Sequence, residues 1–268
     1  MVIKETIEET PTVRTLVFRD VMSHRAKPGQ FLMTWVPGID EIPMSVMINT
    51  KRNYAAVTIR RVGYGSTALY NKKVGEMLGI RGPYGNYFKI PSSISKALLV
   101  GGGTGLVPLM RLAKDLSQSQ VHTTLIIGAK NKEEVFFEQV ANELLKETVH
   151  SVIVTTEDGS YGSKGKSTEV MSTIVTLQEF DIIYTCGPEL MMKEVFDIAC
   201  RYSLPIQASL ERHMKCGIGI CASCCIDEYL VCKDGTIFDE GQLSRIVDFG
   251  RAYRDKSGRK IYYSQSFV

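Results

Sequence analysis

The sequence predicts three parts in series: an N-terminal antiparallel β-barrel, a parallel-sheet α/β domain and a small C-terminal cysteine-loop domain. Three observations carry this. Short alternating segments broken by glycine and proline fill residues 1–92. Strand and helix patterns then alternate through residues 93–209. Five of the seven cysteines fall between Cys216 and Cys232, inside the last part, 210–268. At 268 residues, with 44% hydrophobic and 23% charged positions, the chain is long enough for more than one ordinary globular domain.

In the first part, Thr12–Phe18 alternates, and Lys27-Pro28-Gly29-Gln30 turns the chain into Phe31–Val36. Further strands are expected at Met44–Ile48, Tyr54–Val62 and Met77–Arg81, with Gly82-Pro83-Tyr84-Gly85 closing the barrel. In the second part, the apolar run Ala97–Val100 ends in Gly101-Gly102-Gly103-Thr104-Gly105, and a helix follows through Lys114 with Pro108 in its first turn. The periodicity then predicts strands at 123–127, 151–156 and 181–185, alternating with helices at 132–146, 168–177 and 189–202. Pro205–Leu210 reads as one more strand. Beyond the cysteines, Gln242–Phe249 reads as a short helix and Arg251–Lys260 as a mobile basic run.

The net charge of +3 is small and the basic residues are scattered, which argues against nucleic-acid binding. No apolar run approaches the roughly 18 residues of a membrane span. The start at Met1 runs directly into strand-like sequence, so no signal peptide is expected. Seven clustered cysteines are a poor disulfide framework and fit a reducing cytoplasm.

A strand, a glycine turn and a helix start together present backbone amides to a phosphate. Gly101–Gly105 has that form, although Pro108 stands where a third glycine of the dinucleotide pattern would be. No acidic residue follows at the distance that holds a ribose, so a standard dehydrogenase is not expected. Two other loops, Glu157–Gly165 and Cys186-Gly187-Pro188-Glu189, end predicted strands of the same sheet and are expected to face the same ligand.

Cys216, Cys221, Cys224 and Cys232 follow the spacing C-x4-C-x2-C-x7-C. The first two intervals are those of plant-type [2Fe–2S] proteins. Gly217 and Gly219 allow the tight curl that aims amides at sulfur. Cys225 is surplus and stands as the alternative to Cys224. Cys200 reads as helix packing. A closed zinc site is the other metal such thiolates can hold, but only one C-x2-C pair is present where zinc knuckles use two.

Taken in order, the barrel, the Gly-Gly-Gly-Thr-Gly-x-x-Pro loop and the Cys-Gly-Pro turn resemble the ferredoxin reductase family of flavoproteins. Glu211-Arg-His-Met-Lys-Cys216 with its following cysteines, Pro28-Gly29-Gln30-Phe31 and Asp158–Gly162 narrow this. Over residues 1 to about 240 the chain is similar to the electron-transfer subunits of 1B-type dihydroorotate dehydrogenases. The resemblance implies FAD between barrel and α/β domain, NAD(H) on the α/β domain, and a [2Fe–2S] cluster facing a separate FMN-containing catalytic subunit. It also implies a heterotetramer with two copies of each subunit and a role in pyrimidine biosynthesis.

Carried over by position, the flavin-contacting residues are Ile42, Pro43, Met44 and Ser45, then Ile59, Arg60 and Arg61, with Ser66 and Thr67 at the phosphates. The pyridine nucleotide falls to Gly101, Gly102, Gly103, Thr104, Gly105, Cys186, Gly187 and Pro188, and the cluster to Cys216, Cys221, Cys224 and Cys232. No side chain of this chain takes a catalytic role. The resemblance implies an arginine where Ile42 stands; in its absence another basic residue substitutes, the diphosphate is held less tightly, or the flavin is FMN. NAD and NADP both stay open. The competing assignments are a flavin and iron–sulfur subunit of a ferredoxin:NAD(P) oxidoreductase or hydrogenase, and a binding module with structural zinc.

Overall fold

The computed structural model describes residues 1–263. Six antiparallel strands form the N-terminal part: β1 (Ile3–Thr10), β2 (Val13–Arg19), β3 (Phe31–Val36), β4 (Asp40–Met47), β5 (Tyr54–Arg60) and β6 (Gly79–Tyr84). Their order is β1-β2-β5-β4-β3-β6. A bridge between Val2 and Met77 and the bond from Ile3 N to Glu76 O at 2.9 Å bring the free edges together. Period-two alternation fills the interior with Ile3, Leu16, Phe18, Leu32, Val57 and Ile59, all fully buried. Two short helices were not expected from the sequence. The helix α1 (Val21–His24) is capped by Asp20, and α2 (Tyr64–Tyr70) lies between the strands expected at Tyr54–Val62 and Met77–Arg81.

The α/β part runs β7 (Lys96–Gly102), α3 (Leu106–Gln118), β8 (His122–Ala129), α4 (Glu138–Leu145), β9 (His150–Thr156), β10 (Ser163–Lys164), α5 (Ser167–Leu177), β11 (Ile182–Cys186), α6 (Glu189–Arg201) and β12 (Ile206–Ser209). The sheet order is β10-β9-β8-β7-β11-β12, all parallel. The winding reverses between β7 and β11, and open α/β sheets take their ligands at such a point. The helix expected over 132–146 begins only at Glu138. Phe136 and Phe137 are both buried, and Phe137 adopts φ 66°, which breaks the helical path.

The C-terminal part contains β13 (Cys225–Ile226), β14 (Tyr229–Leu230), α7 (Val231–Asp234), β15 (Ile237–Asp239), α8 (Glu240–Leu243), β16 (Ala252–Arg254) and β17 (Lys260–Tyr262). The helix expected over 242–249 is the single turn α8. The run 251–260, expected to be mobile, instead belongs to a hairpin, with β16 and β17 paired antiparallel. Stacking of Tyr253 on Tyr263 and the bond from Tyr263 N to Arg251 O hold it, contacts that a polar composition does not reveal. Strand β15 returns to the α/β sheet as an antiparallel edge on β12, so the cysteine loop is an excursion between two neighbouring strands.

Barrel and α/β part share core. Val13, Val17, Met47 and Phe88 pack with α3 residues such as Val107 and Met110, while Phe31 and Met33 join the opposite face of the sheet. The Arg111 guanidinium of α3 is buried and donates to the carbonyls of His24, Ala26, Val46 and Met47 of the barrel at 2.7–3.2 Å. Burial pushes its pKa down to about 10, which leaves it cationic at neutral pH. Among the described residues, no helix is long and apolar enough to cross a membrane.

Candidate functional site

At the switch point the glycine loop leaves β7 and the Cys186–Pro188 turn leaves β11. The two backbones touch here. A Cβ on Gly105 would lie 2.4 Å from the Cys186 carbonyl carbon and oxygen, and one on Gly187 would lie 3.0 Å from Gly102 N. Only glycine permits that approach, and it lines up Gly102, Gly103, Thr104 and Gly105 with Gly187 and Pro188 around a cavity of about 460 Å³. Gly101 is set back within β7, with Leu106 and Leu109 where its side chain would be. Cys186 is buried, and burial raises its thiol pKa well above the ordinary value, so it is a packing residue here and not a nucleophile. A second cavity of about 550 Å³ continues along the sheet edge past Lys130, Glu134, Glu157 and Lys166. The loop 157–165 reaches it through Glu157 and Gly165, whereas Ser160 and Tyr161 bond to Lys132 N and Glu138.

A third cavity, of about 440 Å³, opens between the barrel and the α/β part. Ile42, Pro43, Met44 and Ser45 of β4 form one wall, and Arg60, Ser66 and Thr104 lie on others. Ile59, Arg61 and Thr67 are not among its lining residues. Alternation along β5 turns Ile59 into the barrel core, fully buried, and the Arg61 guanidinium lies 5.4 Å from the Tyr70 ring. Thr67 sits inside α2 with its amide bonded to Gly63 O. The Ser66 hydroxyl accepts from Val62 N and Gly63 N, and so secures the start of α2. Behind the cavity Arg212 forms a buried ion pair with Glu189, with Nη2 to Oε1 at 2.9 Å. The two residues stand in the Glu211-Arg-His and Cys-Gly-Pro-Glu stretches, and the sequence did not mark them as partners.

The cysteine loop is built by its own amides. Gly217 and Gly219 take φ 73° and 79°, the left-handed region open to glycine. That curl aims the amides of Ile218, Ile220 and Cys221 at the Cys216 sulfur at 3.3–3.5 Å, and Gly219 N at the Cys232 sulfur at 3.2 Å. Partial burial pushes the Cys216 thiol up, but the amides of Cys221, Ile218 and Ile220 outweigh it and bring the pKa down to about 6. Cys232 is pushed up to about 12, first by burial and then by the neighbouring Cys224 thiol.

The thiols fall into two pairs. Cys221 N donates to the Cys216 sulfur at 3.5 Å, and Cys232 N donates to the Cys224 sulfur at 3.4 Å. Two pairs of cysteines suit two irons with two thiolates each. Among the described residues no group of three or more His, Cys, Asp or Glu converges on a single ion position. Cys224 is buried at 2% exposure, while Cys225 is held in the β13–β14 hairpin opposite Leu230 and opens onto a surface groove. Cys221 is exposed, so one edge of the loop faces solvent.

This loop is seated on the barrel. Arg81 of β6 grips Glu41 with two bonds of 2.7 and 2.8 Å and donates to the Cys216 carbonyl at 3.2 Å. Gly217 lies against Met33, where a Cβ would come within 2.7 Å of Cγ. Met33 sits two residues beyond Phe31, and Phe31 and Met214 both line the cavity at Ile42–Ser45. Thr104 lines that cavity and the glycine-loop cavity alike.

A barrel with a cleft facing a doubly wound nucleotide sheet defines the class: a ferredoxin reductase-like oxidoreductase. The comparisons agree. Residues 99–197 match the oxidoreductase NAD-binding domain. The solved structure of an NADH-dependent reduced ferredoxin-NADP oxidoreductase superposes with a TM-score of 0.81 at 27% identity, covering 93% of this chain and 92% of that one. The ferredoxin reductase of carbazole 1,9a-dioxygenase shares the fold at a TM-score of 0.68 and 22% identity, covering 77% of this chain and 67% of that one.

Residues 211–244 match the iron–sulfur cluster binding domain of dihydroorotate dehydrogenase B. A protein of Methanocaldococcus jannaschii named "probable dihydroorotate dehydrogenase B (NAD(+)), electron transfer subunit" is 43% identical over 263 residues, 97% of each chain. One of the same name from Methanocella arvoryzae is 42% identical over 269 residues, 96% of each. The chain belongs to the family of dihydroorotate dehydrogenase B electron transfer subunits.

Proposed function

We propose that this chain is the electron-transfer half of a dihydroorotate dehydrogenase of pyrimidine biosynthesis. It takes electrons that an FMN-bearing catalytic subunit removes from dihydroorotate and delivers them to NAD+, in a cytoplasmic heterotetramer of two copies of each subunit. The observation that carries this is the shared walls. The cysteine loop sits on Met33, the cavity at Ile42–Ser45 takes Phe31 and Met214, and Thr104 joins that cavity to the glycine loop. Electron donor and acceptor sites thus adjoin within one chain.

In this reading Cys216, Cys221, Cys224 and Cys232 hold a [2Fe–2S] cluster, and Ile42, Pro43, Met44, Ser45 and Ser66 border an FAD. The amides of Gly102–Gly105 and the Gly187–Pro188 turn receive the pyridine nucleotide. Bound FAD supplies the conversion between two-electron hydride exchange and single-electron exchange, which a nicotinamide alone does not provide. The chain's residues bind, orient and insulate. The loop amides lower the Cys216 pKa and so favour the thiolate that iron requires, and Arg81 fixes the loop on the barrel. The exposed Cys221 edge, flanked by Ile218 at 48% and Ile220 at 77% exposure, is the face offered to the catalytic subunit.

The test is co-purification with the catalytic subunit and assay of dihydroorotate-dependent NAD+ reduction, with iron and flavin counted in the same sample. Expected are two irons and one FAD per chain, a rhombic EPR signal on reduction, and NADH formation only when both subunits are present. A colourless, iron-free protein would sink the reading. The 27% identity to the ferredoxin-NADP oxidoreductase motivates a second reading, in which reduced ferredoxin is the donor. Activity with ferredoxin and none with dihydroorotate would select it.

A further inference from the structure

The groove onto which Cys225 opens, of about 290 Å³, has two sides that are distant in sequence. One is the cysteine loop, with Lys215 and Cys221, and the other is the turn between β16 and β17, with Arg254 and Lys256. We propose that this groove is the socket for an acidic segment of the FMN-bearing catalytic subunit. The inference deepens the electron-transfer reading above and rests on it.

The hairpin side of the groove is anchored. Lys260 pairs with Asp248 at 2.6 Å, Gly250 N donates to Glu189 Oε1 at 2.9 Å, and Arg212 reaches the Ala252 carbonyl at 3.4 Å. The turn is therefore fixed beside the cysteine loop, and a chain that covers the exposed Cys221 edge also meets the turn. Ile218 and Ile220 make that edge apolar, but the groove beside it is cationic. Lys215, Arg254 and Lys256 are all exposed, and none of the ion pairs among the described residues uses them. The lining carboxylate, Asp255, is turned back into its own turn, where Oδ1 accepts from Ser257 N, Ser257 Oγ and Arg259 N at 2.6–3.1 Å. His213 adds no charge at neutral pH, since burial first, and then Lys215 and Lys256, hold it below the usual imidazole range.

Covering three cations strips their hydration, and only an occupant that brings carboxylates offsets that cost. Arg254 spends one terminal nitrogen on the Gly258 carbonyl at 3.0 Å and presents the rest of its fork, a geometry that carboxylates fill. The apolar edge then supplies contact and the groove supplies orientation and speed of encounter.

Carbodiimide coupling joins an ammonium only to a carboxylate it touches. It is applied to the full chain in complex with the purified catalytic subunit, and the joined peptides are mapped by mass spectrometry. Expected are links from Lys215 or Lys256 to Asp or Glu of the catalytic subunit. Association rates are then measured by stopped flow for wild type, the double variant Lys215→Glu with Lys256→Glu, and Lys146→Glu at the end of α4, with iron and flavin counted in each. At about 0.01 M salt the double reversal should slow association at least about tenfold, and at about 0.5 M salt it should come within about threefold of wild type, because screening removes the steering. Lys146→Glu should associate like wild type. Lys215→Gln and Lys256→Gln, which keep a polar side chain, should each slow association by about threefold at low salt and carry the test if the double variant loses iron or flavin. Rates indifferent to Lys215 and Lys256, a loss as large for Lys146→Glu, or links from these lysines to a second copy of this chain would each overturn the socket. A wild-type chain that associates with ferredoxin and not with the catalytic subunit would overturn the electron-transfer reading as well, whereas a productive complex that ignores both lysines overturns this inference alone.

Discussion

Cys224 and Cys225 are neighbours in sequence with different surroundings. The Cys224 sulfur accepts from Cys232 N inside the core, while Cys225 belongs to a hairpin strand and faces the groove. Cys224→Ser is therefore expected to lose the iron and the EPR signal, and Cys225→Ser to keep both. Iron analysis of the two variants decides, and a reversal would reassign the ligand. The Glu189–Arg212 pair gives a second residue-scale expectation, because both side chains are at most 8% exposed. Replacing one partner leaves a buried charge unmatched, so Glu189→Gln should cost about 3 kcal/mol, seen as an earlier denaturant midpoint. Sequence spacing singles out the cysteines as candidate ligands, since ligand chemistry is local. It was silent on Arg60–Glu134 and Glu189–Arg212, whose partners lie 74 and 23 positions apart and are joined only by the tertiary fold.

The elements that were legible in the sequence are those whose stability follows from their own pattern. Strands β2, β3 and β5 are short apolar and β-branched runs bounded by turns, and β7 is a continuous apolar run with helix α3 behind it. The start of α4 and the C-terminal hairpin were not legible. The first depends on two phenylalanines reaching the core, and the second on Tyr253 meeting Tyr263 and on Lys260 pairing with Asp248 at 2.6 Å. Within the cysteine loop, Gly217 carries both a left-handed φ and a close approach to Met33. Gly217→Ala is expected to destabilise the loop by about 1–2 kcal/mol from the backbone alone and to lower iron occupancy. Full occupancy in the variant, by iron count and visible absorbance, would show that the curl is not needed.

Across the whole molecule, the barrel and the α/β part are joined by a polar clasp within an apolar seam. Arg111 donates to four barrel carbonyls, those of His24, Ala26, Val46 and Met47. Arg111→Met should cost about 3 kcal/mol by removing these buried bonds, and should expose the connection over residues 85–95 to limited proteolysis. Resistance to cleavage equal to wild type would show that the apolar seam alone suffices.

The return of β15 to the edge of the nucleotide sheet has a consequence for kinetics. The cysteine loop is tied at both ends to adjacent strands, β12 and β15, and gripped from the side by Arg81. Such a mount permits no swinging of the cluster between a docking position and a delivery position. The distance an electron crosses inside the chain is then a constant of the fold, and its transfer rate should be indifferent to solvent viscosity. Any viscosity dependence of turnover would belong to encounters with NAD+ or to the exchange of partners.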